Sequence, residues 1–89
     1  MANDEKKVLK LGLLSAGGKL TIDNGFLRYQ HPYGSRFEVM LKDIQTVTID
    51  MGSFGKSALR IVGAGTELAN VTMPTTWAQK CRDWILANK

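Results

Sequence analysis

The stretch GGKLTIDNGFLRYQ, Gly17–Gln30, carries the strongest conformational signal in the chain. Two runs with alternating apolar residues, Leu20 to Asp23 and Phe26 to Gln30, flank the dipeptide Asn24-Gly25. That dipeptide is the one that best tolerates the consecutive positive φ angles of a type I′ turn, whose twist matches that of antiparallel strands. A tight β-hairpin about Asn24-Gly25 is therefore predicted.

Working outward, the turn-rich HPYGS leads into RFEVML, which places Phe37, Val39 and Leu41 on one face and Arg36, Glu38 and Met40 on the other. Lys42-Asp43 bends the chain. The following IQTVTID is rich in β-branched residues, which suit a pleated surface and disfavour helix. SALRIV alternates Leu59 and Ile61 against Arg60, and the reversal GAGTE joins it to LANVTM as a further hairpin. Upstream, VLKLGLL alternates Leu9, Leu11 and Leu13 with Lys10 and Gly12 and reads as a strand, with a short helix as the alternative. Residues 1–7 are polar and charged with little to bury, so they are expected to form a flexible N-terminus ahead of a single domain over 8–89.

The last segment changes period. In TTWAQKCRDWILANK, the residues Trp77, Cys81, Trp84 and Ile85 fall at i, i+4, i+7 and i+8, the apolar stripe of an amphipathic helix. Pro74 precedes it, and Thr76 with Gln79 three residues later has the form of a capping box. Burying both indoles against a sheet would contribute several kcal/mol at roughly 25 cal/mol per Å² of apolar surface.

Composition sets the scale. With 89 residues, 44% hydrophobic and 22% charged, the chain supports one modest core, so self-association is an expected supplement to stability. The one cysteine, Cys81, has no internal disulfide partner, and no second cysteine or cluster of histidines offers a zinc site. These features favour a reducing, cytoplasmic setting. The start MANDEKKVLKLGLL has the outline of a signal peptide, but Lys10 interrupts its apolar run and Asp4 and Glu5 spoil the positive front. No stretch approaches the roughly 20 apolar residues of a transmembrane helix. The net charge of +4 permits contact with an acidic protein, nucleic acid or anionic lipid without selecting among them.

Taken together, six or seven antiparallel strands and one C-terminal amphipathic helix are predicted, a mainly β architecture. GGKLTIDNGFLRYQ, FEVMLKDIQTVTI, LRIVGAGTE and a Trp-containing terminal helix, in that order over about residues 17 to 88, resemble the small bacterial domains of the pleckstrin-homology (PH) superfold. The resemblance implies an antiparallel barrel or split barrel closed by the helix, and a non-enzymatic binding or assembly module, some of whose relatives form symmetric rings. Phosphoinositide-binding relatives carry a lysine on the first strand, then a basic residue and an arginine one position apart on the second. Lys10 and Lys19 match the first two places, but the arginine place holds Thr21, so specific phosphoinositide binding is not expected.

MGSFGKS, Met51–Ser57, ends like a Walker A phosphate loop. That loop needs glycine where Asp50 stands, and a helix after it, whereas ALRIV reads as a strand. No nucleotide or other cofactor is expected. Met51 and Phe54 then remain as apolar residues in a Gly/Ser-rich connection. Either Phe54 folds back to plug an open end of the barrel, the favoured reading, or the two form an exposed partner contact. His31 reads as a surface-loop residue and Cys81 as a small core residue, and no catalytic or metal-binding constellation is present in the pattern. Arg28, Tyr33 and Arg36, with Tyr29 and His31 nearby, have the basic-aromatic composition of a single-stranded nucleic-acid surface. The leading expectation is a module whose partner is a protein or a second copy. A nucleic-acid-binding β-barrel and peripheral attachment to anionic membrane through Lys6, Lys7, Lys10 and Lys19 are the alternatives.

Overall fold

The computed structural model describes residues 6–12, 16–34 and 36–89. The chain divides into two compact units that meet in sequence between Leu41 and Lys42. Among the described residues the strands form two separate antiparallel sheets and not one closed ring, followed by one α-helix.

The first unit is a meander of β1 (Lys7–Lys10), β2 (Lys19–Asp23), β3 (Phe26–Gln30) and β4 (Arg36–Met40), paired in that order. Its centre is the predicted hairpin. Asn24 and Gly25 have φ of 54° and 82°, and Asp23 stands opposite Phe26, as a two-residue turn of this type requires. The register then puts Leu20 opposite Tyr29 and Ile22 opposite Leu27, and all four are buried. Phe37 lies opposite Tyr29 with the rings stacked 5.6 Å apart, which extends this apolar face to β4.

Tyr29 also explains the Gly-Gly that opens the hairpin. Its buried hydroxyl donates to the Gly17 carbonyl at 2.9 Å. Gly18, at φ +96°, passes so close to the ring that a Cβ there would stand 2.8 Å from Tyr29 Cε1 and Oη and 2.9 Å from the Gln30 carbonyl oxygen. Only glycine meets both the backbone angle and the space. Leu11 closes the loop with a backbone bond to Gly18 at 2.9 Å and is itself buried. Lys7 belongs to β1 opposite Ile22, while residues 1–5 of the predicted flexible terminus and Leu13 of the predicted first strand lie outside the described residues.

A short 3₁₀ turn, Leu41–Asp43, stands at the bend predicted for Lys42-Asp43. The second unit holds β5 (Thr46–Met51), β6 (Lys56–Gly63), β7 (Thr66–Pro74) and α1 (Thr75–Asn88). β6 shows the clearest alternation, with Ser57, Leu59, Ile61 and Gly63 buried. Leu59 faces Ile49 and Val71 across the ladders, and Ile61 faces Val47 and Ala69. A bulge between Ile61 and Val62 then shifts the β6–β7 register, so that Val62 stands opposite Glu67.

The helix packs across β5, β6 and β7 on a line that keeps Cys81 and Ile85 of the stripe read from the sequence but has Ala78 in place of the two tryptophans. Its buried residues are Ala78, Cys81 and Ile85, while Trp77 and Trp84 are only half-buried. An indole is too large to sit fully beneath a helix lying close on a sheet, so the small Ala78 and Cys81 take the line of closest approach and the indoles flank it. The capping box is corrected too. The helix starts at Thr75, after Pro74 at φ −53° and ψ 140°, with no side-chain cap, so Thr76 is a first-turn residue.

Candidate binding surface

The β5–β6 hairpin ends at Ser53-Phe54-Gly55, where Phe54 and Gly55 have φ of 58° and 73°. The Lys56 amide donates to the Ser53 carbonyl at 3.2 Å and the Gly52 amide to the Lys56 carbonyl at 2.9 Å, which closes the turn. A left-handed backbone is ordinary for glycine and uncommon for phenylalanine, whose Cβ crowds the carbonyl. The expectation that Phe54 folds back as a plug is overturned: its relative exposure is 100%, and that of Met51 is 74%. The ring stands at the tip of a turn closed by Ser53 and Lys56, beyond the last ladder pair Met51–Ser57.

The tip is braced from α1. Thr75 donates to the Gly55 carbonyl twice, from its backbone amide at 2.8 Å and from its hydroxyl at 3.0 Å. Because that hydroxyl has one proton, the 2.7 Å contact between Ser57 Oγ and Thr75 Oγ1 is a bond donated by Ser57. Ser57, almost fully buried, also lies 3.5 Å from Met51 Sδ. The chain Ser57, Thr75, Gly55 therefore ties the apex to the first turn of the helix. Nothing in the MGSFGKS pattern signalled this brace, since its partner lies twenty residues downstream.

Arg28, Tyr33 and Arg36 lie in the first unit. Tyr33 is 89% exposed in the β3–β4 loop, where its amide donates to His31 Nδ1 at 3.0 Å and its ring stands tilted 5.8 Å from the imidazole. Arg28 is engaged within the sheet: its Nε bonds Glu38 Oε2 at 2.8 Å, directly across the ladder, and its guanidinium lies 5.3 Å from the Phe26 ring centroid. Arg36 is exposed, and with Arg28, Gln30, Phe37 and Glu38 it lines a cavity of about 320 Å³. As the alternation requires, Tyr29 faces away from Arg28 and Gln30, so the five basic and aromatic residues do not form one patch.

Two further polar groups are engaged within the fold. On the exposed face of β6, Arg60 bonds Asp50 at 2.7 Å and Glu67 at 2.9 Å, and these hydrogen bonds hold its guanidinium in the charged form. Burial pushes the Cys81 thiol up to about 12, and its sulfur sits 3.9 Å from Met73 Sδ, so it is a neutral core group at ordinary pH. Among the described residues no three histidine, cysteine or acidic side chains gather as metal ligands. No helix among them is long and apolar enough to cross a membrane. Comparisons of the chain with protein-family models, with curated proteins and with solved structures find no match.

Proposed function

We propose that this chain is a non-enzymatic binding module of the PH-like superfold, a split barrel of seven strands with its terminal helix, and that it docks a protein partner or a second copy through Met51 and Phe54. The observation that carries the reading is the braced apex: a fully exposed ring held in a costly backbone conformation by three hydrogen bonds from Ser57 and Thr75. Strained, solvent-facing aromatics are kept where they make contacts, because folding alone does not favour them. The non-enzymatic part is supported by the neutral buried thiol. The strand order followed by one helix is compatible with the PH-like plan.

The test places a photo-crosslinking phenylalanine derivative at position 54 and, as a control, at Ala64, the apex of the β6–β7 turn. Crosslinking at 54 alone, lost on dilution of the partner or of the chain itself, is expected. Equal crosslinking at both positions, with light scattering reporting a monomer at every concentration, overturns the reading.

A further inference from the structure

A second surface, on the other unit, carries a different chemistry. Lys10 lies directly opposite Lys19, Lys19 opposite Gln30, and Gln30 opposite Arg36. One row therefore crosses the whole four-stranded sheet on the face away from Leu20 and Tyr29. With strands about 4.8 Å apart, its ends are separated by roughly 14 Å. It contains three cations and no carboxylate. None of the three takes part in an ion pair among the described residues, whereas Arg28 in the adjacent row is neutralised by Glu38. Like charges directly opposite each other destabilise a sheet, so the Lys10–Lys19 pair works against folding. Lys10, Gln30 and Arg36 are exposed, and Gln30 adds an amide that both donates and accepts.

We infer that this row is a binding site for single-stranded nucleic acid, with phosphates along Lys10, Lys19 and Arg36 and a base stacked on Tyr33. Tyr33 lies three residues after Gln30 and three before Arg36, is almost fully exposed, and has its backbone held by His31. It sits in the loop that joins Gln30 to Arg36, with its ring beside His31 and so toward the Tyr29 side of the sheet edge, where a strand lying along the row would have to turn over the loop to reach it. Cationic tracks near exposed rings bind single strands with little regard to sequence. A lipid surface is the less suitable occupant, because the row itself has no apolar side chain to enter it. This surface is independent of the Phe54 apex.

The experiment titrates a fluorescent oligothymidylate of about 12 nucleotides, within the usual site size of small β modules. Three phosphate contacts give a slope of about −2 in log affinity against log salt, so binding weakens roughly 20-fold between about 50 and 200 mM. Lys10→Gln, Lys19→Gln and Arg36→Gln each reduce that slope by about 0.7. Tyr33→Ala weakens binding on the order of tenfold at every salt concentration. The double variant Lys56→Gln/Lys80→Gln, which removes charge from the other unit, leaves affinity within about twofold of the wild-type value. As an independent readout, Lys19→Gln raises the melting temperature by a degree or more, because it removes an opposed charge (about 4–8 °C per kcal/mol in small domains). Equal loss in the control variant, absence of binding at low salt, or pelleting with phosphatidylserine vesicles in place of oligonucleotide binding overturns the proposal.

Discussion

Thr75 grips Gly55 twice, through its amide at 2.8 Å and its hydroxyl at 3.0 Å, so the first residue of the helix fixes the apex of a hairpin twenty positions earlier. Replacing Thr75 by Val keeps the shape and the amide bond but removes the hydroxyl relay and leaves Ser57 Oγ short of its acceptor. A loss of about 1–3 kcal/mol is expected from urea unfolding. Thr76→Val, one residue on and exposed, should stay within about 0.5 kcal/mol of the parent. The opposite ranking would restore Thr76 as the helix cap.

Phe54 links stability to binding with opposite signs. Phe54→Asn places a residue that tolerates left-handed backbone where a bulky one now stands. Stability should rise by up to about 1 kcal/mol while crosslinking to the partner disappears. A variant that is both less stable and fully competent in binding would show that the ring belongs to the fold.

Gly18→Ala tests the approach of β2 to Tyr29. A Cβ at 2.8 Å from the ring and 2.9 Å from the Gln30 carbonyl, on a backbone at φ +96°, should cost more than about 2 kcal/mol. Tyr29→Phe alone loses the bond to Gly17, about 1 kcal/mol, but it clears the Oη side of the clash. The double variant should therefore be less unstable than the sum of the two single changes, and strict additivity would contradict the contact.

Cys81 predicts a pH dependence with a definite sign. Its folded value is raised by burial to about 12, above the ordinary 9.0, so the stabilisation is fully present below pH 9 and is lost as pH rises through that window. Between pH 8 and pH 10 the wild-type chain should lose about 1.4 kcal/mol more than Cys81→Ala, the free energy of one pKa unit. The native thiol should also react with a disulfide reagent only as fast as the chain opens. Prompt reaction at neutral pH would place the sulfur at the surface.

Much of the architecture was legible because it is written in local pairs. Asn24-Gly25 sets a turn, and once the turn is set the pairing of Lys19 with Gln30 and of Leu20 with Tyr29 follows by counting outward. The alternation in SALRIV likewise marks Leu59 and Ile61 as inward before any partner is known. The helix keeps Cys81 and Ile85 of its periodic stripe and departs at the tryptophans for a reason of size: period alone ranks Trp77 with Cys81, while close packing prefers Ala78. The exposure of Phe54 is not legible locally, because the sequence does not show that position 54 adopts a left-handed backbone at a turn tip.

The chain's own residues determined that antiparallel strands would precede a single helix, since two-residue and 3.6-residue periods and one strong turn act over a few positions. Tertiary structure alone decided that Thr75 would hold Gly55 and that Lys10 would share a row with Arg36, twenty-six positions away. Those relations depend on register accumulated across several ladders, and a shift of one residue in any of them would send the side chains to the opposite face.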